Sequence, residues 1–310
     1  MTLAHGRRAS RLLQWAFVPG SLARVAPKEI NMKRSISLWL GMLAFALLPA
    51  LTQTPASESK KTSEAELKDE AVIRNINADI KTVIQDFSDA VSSNDPAVKI
   101  AKYRDAETIM LRDTAAKPDA STLWVQLGQA QAGLGETQND TKKYDEAIVS
   151  LKKSLDTDAA AKKPSGSIQA AAYSTLGEIY ARTGRIPDAN AAFDSAAKAN
   201  PTMAAIYLKN EAVIFSQMAS SAHQAAAQAA NYEAEAAAAD EAIKANPKFA
   251  VAYYLKAVGL LAKATVDSKT NRYVAPPGCI EAYQKYLELA PQGAYADDVR
   301  ATLDTLARRP

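Results

Sequence analysis

Residues 170–201 carry the pattern that most restricts the fold of this chain. Large and small residues recur at helical spacing before the turn at Gly184 and again after it, and the segment ends at Pro201. These residues are Tyr173, Leu176, Gly177 and Tyr180, then Ala189, Phe193 and Ala196. Residues three and four apart share a helical face, so the pattern predicts two helices with apolar faces. Rings on one face fit over glycine or alanine on the other, which predicts a closely packed helical hairpin.

This series of residue types resembles the tetratricopeptide repeat, and it is matched at every place and spacing of that family's pattern. The resemblance implies an all-α fold: a right-handed α-solenoid of helix-turn-helix repeats with irregular insertions and capping helices. It implies little about function, because these residues form the core of a repeat and not a binding site.

Further repeats are indicated by a recurring step of six residues from a proline to an aromatic residue. The three steps are Pro118 to Trp124, Pro201 to Tyr207 and Pro247 to Tyr253. We interpret 134–143 as an insertion, the alanine-rich segment 220–247 as extended helices with low-complexity disorder as the alternative, and 265–278 as a hairpin or exposed loop. Residues 294–307 predict a final helix that caps the array.

These patterns predict five regions. Residues 1–31 are an over-extended or unstructured amino terminus, 32–52 a signal peptide and 53–62 a linker. Residues 63–118 hold amino-terminal helices and a degenerate first repeat, with a capping box formed by Ser63 and Glu66. Residues 119–309 hold the repeat array and its carboxy-terminal capping helix.

The signal peptide is predicted from a basic start, Met32-Lys33-Arg34, followed by an apolar run that is short for a membrane-spanning helix. Cleavage is expected near Thr52 or after Ala56. The predicted location is the periplasm or another extracytoplasmic compartment. The alternative is an uncleaved anchor in the inner membrane, so contact with a membrane is expected only through this segment.

The helix predicted after the linker, residues 64–92, carries a single apolar stripe with spacings of three and four. The stripe consists of Ile73, Ile76, Ile80, Val83, Phe87 and Val91. Two interpretations remain open. The stripe caps the first repeat, or it is a seam through which the protein forms a homo-oligomer.

Charge and composition restrict the chemistry. The chain carries a net charge of +3. Seven basic residues and one acidic residue precede Gln53, which leaves 30 basic and 33 acidic residues in the body. A mildly acidic body argues against nucleic-acid binding, which needs a clustered basic face. Cys279 is the only cysteine and His223 the only histidine of the body. We therefore predict no catalytic residue, no cofactor, no metal site and no enzymatic activity.

The family resemblance implies a concave face that is lined by the first helix of each repeat. Residues of those helices that the repeat core does not use are predicted to line a groove for a peptide or protein partner. They are Val125, Gln129, Ser174, Glu178, Arg182, Leu208, Phe215, Tyr254, Val258 and Leu261. The predicted function is a non-enzymatic, exported protein–protein interaction scaffold. The alternative is a self-associating structural or assembly component of the cell envelope.

Overall fold

The computed structural model describes residues 64–270 and 272–307. The predicted amino-terminal region 1–31, signal peptide 32–52, linker 53–62 and capping residue Ser63 lie outside the described residues. The described chain folds into two compact units. The first unit comprises 64–214 with 241–247, and the second comprises 215–240 with 248–307.

The described part of the chain contains eleven α-helices and one short β-hairpin. The first six helices are α1 (Glu64–Ser92), α2 (Pro96–Ala116), α3 (Ser121–Gln138), α4 (Thr141–Ala159), α5 (Gly166–Arg182) and α6 (Ile186–Ala199). After a 3-10 turn at Pro201–Met203 come α7 (Ala204–Ser221), α8 (Ala225–Ala245) and α9 (Ala250–Leu261). The antiparallel strands β1 (Thr265–Asp267) and β2 (Arg272–Val274) precede α10 (Cys279–Leu289) and α11 (Ala296–Ala307).

Successive helices of the first unit pack on one another, so the prediction of a mostly helical fold is confirmed. Local signals set the helix ends. Asp95 accepts a hydrogen bond from the amide of Ala97 at 2.8 Å, and Pro96 opens α2. Both features are typical of a helix start. The handedness of a solenoid and membership of the tetratricopeptide family stay predictions.

Glycines at the predicted repeat positions allow the helix pairs to approach closely. A Cβ atom added to Gly177 of α5 would lie 2.8 Å from the ring of Phe193 on α6. A Cβ atom added to Gly128 of α3 would lie 2.6 Å from Leu151 on α4. In both hairpins a large side chain therefore packs directly on the backbone of the partner helix.

The apolar stripe of α1 packs inside the first unit. Ile76, Ile80, Val83 and Phe87 are buried in one cluster with residues of α2 and α3. The ring of Phe87 lies 6.1 Å from that of Tyr103 on α2. This packing favours the capping interpretation of the stripe.

Two predicted insertions have different outcomes. The hairpin at 265–278 forms, with Val266 paired to Tyr273. The interpretation of 134–143 as an insertion is wrong, because α3 continues to Gln138 and α4 begins at Thr141. Asn139 ends α3 in the left-handed conformation and the side chain of Asp140 caps α4, so the connection needs only these two residues.

The other predictions for the second half agree with the structure. The alanine-rich segment forms the long helix α8, as expected from the high helix propensity of alanine. The final helix is α11, with Val299 buried. No helix among the described residues is both long enough and apolar enough to cross a membrane.

Candidate functional site

A charged cluster joins α3 and α5 of the first unit, which are the first helices of two consecutive predicted repeats. The guanidinium of Arg182 on α5 donates to Glu178 Oε1 from Nε at 3.1 Å and from Nη2 at 3.0 Å. Its Nη2 also lies 2.9 Å from Glu136 Oε1 on α3. One guanidinium therefore holds two carboxylates and ties the two helices together.

The cluster lines a narrow cleft between α3, α4 and α5. The lining residues are Ala132, Gly133, Glu136, Tyr144, Thr175, Glu178, Ile179 and Arg182. Gly133 in its wall and Gly135 nearby on α3 each face a tyrosine ring. A Cβ atom on Gly133 would lie 2.6 Å from the ring of Tyr103, and one on Gly135 would lie 2.7 Å from the ring of Tyr144. Because Gly133 and Gly135 have no side chain, Tyr103 and Tyr144 can pack directly against α3.

The cleft is too small for an organic ligand in this conformation. Its free volume is about 10 Å³, about the space that one water molecule needs. Sites for small molecules usually measure several hundred Å³, on the order of 300–1,000. The accessible part of the cleft is therefore its rim, where the side chain of Glu136 is 41% exposed.

Charge is unevenly compensated in this cleft. Burial raises the pKa of Glu178, and the nearby carboxylate of Glu136 raises it further, while Arg182 acts in the opposite direction. Burial acts to lower the pKa of Arg182, but the carboxylates of Glu178 and Glu136 outweigh it and raise that pKa. With both carboxylates ionised, the cluster has a net charge of −1, so its rim favours a hydrogen-bond donor or a cation over an anion.

The structure divides the predicted groove residues into two classes. Six are buried, namely Val125, Gln129, Ser174, Leu208, Phe215 and Tyr254. Four are half-buried, namely Glu178 and Arg182 in the first unit and Val258 and Leu261 in the second. The cleft brings Glu178 and Arg182 together, as expected for one helical face. The buried residues contribute core contacts in this conformation, and the binding role of all ten stays a prediction.

Two glutamine side chains on α3 are an unexpected feature of the first unit. Gln126 and Gln129 are fully buried, and within the described chain neither amide has a hydrogen-bond partner for its oxygen or nitrogen. Buried amides of this kind cost free energy unless they are paired. Gln129 precedes Glu136 by seven residues and therefore lies on the same face of α3.

Glu136 and Tyr144 line the cleft, and the sequence interpretation did not assign either of them to the site. The available signal for Glu136 was its helical spacing from Gln129 and Val125, at intervals of seven and eleven residues. That signal was lost because 134–143 was interpreted as an insertion. Once α3 is known to continue through Glu136, the spacing places its side chain beside Arg182.

The side chains with potential for chemistry elsewhere in the described chain do not form a site. Cys279 is buried, its thiol donates to Ala257 O at 3.5 Å, and burial raises its pKa to about 11. A thiol with such a pKa is a poor nucleophile. His223 is exposed. No group of three or more His, Cys, Asp or Glu side chains in 64–270 and 272–307 could hold a metal ion. That the protein lacks catalytic residues and cofactors stays a prediction.

Comparison with known proteins gives no family to draw on. No protein-family model matches the chain, and no curated protein matches it significantly.

Proposed function

We propose that the chain is a non-enzymatic, exported interaction scaffold that binds a protein or peptide partner on the face formed by α3 and α5. The observation that supports this proposal most directly is the charged cluster of Glu136, Glu178 and Arg182. It lies where the first helices of two repeats meet, which is where helical repeats of this type present a shared surface. Its rim is open to a partner while its interior holds only about one water molecule.

The polar character of this rim sets the expected contact. The most exposed carboxylate belongs to Glu136, and the one cation of the cluster, Arg182, is already engaged by two acids. Donor groups of a partner, such as backbone amides or basic side chains, fit this arrangement best.

Site-specific photo-crosslinking in living cells tests the proposal. A photoreactive phenylalanine analogue is placed at Glu136, and in a matched control at Val149, which is 69% exposed on the second helix of the same repeat. We expect a discrete crosslinked partner from position 136 and none from position 149. The same adducts from both positions, or no adduct from position 136, would contradict partner binding at this face.

The alternative function, a self-associating envelope component, relies on the stripe of α1. Ile76 and Ile80 are buried in the core of the first unit, where they are already used. Nothing in the described chain favours this alternative over the scaffold. Light scattering coupled to size-exclusion chromatography separates the two, since the scaffold needs no oligomer and the alternative requires one.

A further inference from the structure

A carboxyl group lies in the interior of the second unit without a counter-charge. Glu235 of α8 is 0% exposed, and among the described residues neither of its oxygen atoms accepts a hydrogen bond of normal geometry. The hydroxyl of Ser216 on α7 is the one side-chain group that lowers its pKa through a hydrogen-bond contact. Buried carboxylates in proteins are ordinarily paired with a cation or hydrogen-bonded. The ionised form of Glu235 is therefore unfavourable at this buried position, and the neutral form is favoured.

The backbone around Glu235 leaves little room for a compensating ligand. Gly259 of α9 packs against α8 so closely that an added Cβ atom would lie 2.6 Å from the carbonyl oxygen of Tyr232 and 2.9 Å from the amide nitrogen of Ala236. Tyr232 and Ala236 flank Glu235 on the same helix. A metal ion needs several oxygen ligands, whereas a proton neutralises a carboxylate without additional space.

The polar groups near Glu235 carry no positive charge at neutral pH. They are the hydroxyl of Ser216 on α7 and the phenols of Tyr232 on α8, Tyr254 on α9 and Tyr283 on α10. The hydroxyl of Tyr254 also lacks a hydrogen-bond partner among the described residues. Burial raises the pKa of Glu235 well above 4.5, and Ser216 offsets this only in part.

The cations at the contact between α8 and α9 are engaged elsewhere. Lys256 lies 2.6 Å from Asp240, and Lys263 lies 3.3 Å from Glu233. Both pairs are partly exposed and flank the buried carboxyl along α8. Lysines are thus close to this helix, but they pair with its surface acids.

We propose that Glu235 is a proton-operated switch in the second unit: its carboxyl is protonated while α8 packs on α9, and its ionisation releases α8. An ionised carboxylate in this interior has no cation, and only the hydroxyl of Ser216, to compensate for lost hydration. Opening the contact between α8 and α9 gives the charge access to water.

The direction of the pH dependence follows from the burial. The folded unit binds the proton of Glu235 more tightly than the unfolded chain does, so folding takes up a proton as the pH rises above about 4.5. The contribution of protonated Glu235 to the stability of the folded unit is complete below that pH. It is lost as the pH rises through the pKa of Glu235 in the folded unit. Within this window, the opening equilibrium constant increases about tenfold per pH unit.

The switch also has a consequence for binding, which rests on the proposed function. Tyr254 is a predicted groove residue, and its ring stacks on Tyr295 at 4.2 Å beneath the surface of the second unit. Release of α8 would loosen the packing around Tyr254. The protonation of Glu235 itself does not depend on any partner, so the two ideas can fail separately.

Hydrogen exchange measured by mass spectrometry on the full chain tests the switch at pH 5.5, 7 and 9. A local readout is required because burial, with Asp194 and Glu241, also raises the pKa of Glu211 in the first unit to about 8. The variants are Glu235→Gln, which keeps the shape of the side chain, and Glu235→Leu, which also removes its polarity. Glu233→Gln is the control, because it removes an exposed carboxyl from the same helix.

We expect the ratio of the wild-type to the Glu235→Gln exchange rate in 225–240 and 250–261 to rise at least about tenfold from pH 5.5 to pH 9, with rates always compared at one pH. The ratio to Glu235→Leu should rise in the same way, and Glu233→Gln should follow the wild-type chain at every pH. A ratio of wild-type to Glu235→Leu rates that is unchanged from pH 5.5 to 9 would overturn the proposal. The photo-crosslink from position 136 is independent of this result, so loss of the switch leaves the scaffold function standing.

Discussion

Three glycines of the first unit show how single residues set the distance between helices. Gly128, Gly135 and Gly177 each face a large side chain of the neighbouring helix, at 2.6–2.8 Å from where a Cβ atom would stand. Cβ atoms do not approach other heavy atoms this closely. Glycine in a helix interior costs about 1 kcal/mol relative to alanine, so its presence here indicates that close packing outweighs helix propensity.

Replacing Gly177 with alanine tests this balance. The new methyl group would overlap the ring of Phe193, whose own surface is almost completely buried. We expect a loss of about 1–3 kcal/mol in the free energy of unfolding, despite the higher helix propensity of alanine. Chemical denaturation followed by circular dichroism measures the change.

The matched control for Gly177→Ala is the double variant with Phe193→Ala. Alanine removes all the ring atoms that the methyl group would overlap, so the second substitution should cost less in the Gly177→Ala background than in the wild-type chain. Simple additivity of the two losses would show that the overlap does not cause the destabilisation.

At the scale of elements, the amino-terminal helix α1 illustrates how a pattern can have two meanings. An apolar stripe with spacings of three and four serves equally well for a cap and for an oligomer seam. The structure places the stripe against α2 and α3, and Lys102 of α2 binds Asp86 of α1 at 2.8 Å. Both apolar and charged contacts thus connect α1 to its own unit.

Replacing Ile80 with aspartate distinguishes the two meanings. A charge at this buried position would disrupt the core that α1 shares with α2 and α3. We expect a loss of about 3 kcal/mol or more in stability and no change in the mass measured by light scattering. Lys81→Asp, on the exposed side of the same helix, is the control and should leave stability almost unchanged. A wild-type oligomer that dissociates on Ile80→Asp would instead support the seam.

The elements that sequence predicted well are those with a complete local signal. The hairpin of α5 and α6 has its apolar spacing, its turn glycine and its closing proline within 170–201. The helical state of the alanine-rich segment follows from propensity alone. The prediction for 134–143 was wrong because its polar residues indicate a loop. In the structure, Gly135 makes room for the ring of Tyr144 and α3 continues.

The candidate site was predictable only in part. Helical spacing shows which residues share one face of a helix, but it does not show which other segment packs on that face. Glu178 and Arg182 are one turn apart, and their shared face followed from spacing. The burial of Val125, Leu208 and Phe215 depends on contacts between distant segments, which no local pattern reveals. The burial of Glu235 was not predictable for the same reason. In the sequence it is one of several glutamates in an alanine-rich helix, and nothing local marks it as buried.

At the scale of the whole molecule, charge is distributed unequally along the chain. The full chain carries +3, whereas the residues after Thr52 hold 30 basic and 33 acidic residues and therefore carry −3. A basic start followed by an apolar run and an acidic body is the arrangement expected of an exported protein, because the basic residues of a signal stay on the cytoplasmic side. Under the proposed export, removal of the basic amino-terminal segment leaves an acidic protein in the extracytoplasmic compartment.

Export therefore predicts a change in both length and isoelectric point. If the segment 32–52 is removed, the mature chain begins near Gln53 or just after Ala56, and its isoelectric point falls below 7 from about 8.7 for the full chain. Mass spectrometry of the protein isolated from an osmotic-shock fraction measures the new terminus, and isoelectric focusing measures the charge. A variant with Leu43→Arg in the apolar run should block processing, since one charge in so short a run abolishes its hydrophobic character. An unprocessed chain in the wild-type protein would point to the anchored alternative when it is found with the membranes, and it would contradict export when it is found elsewhere.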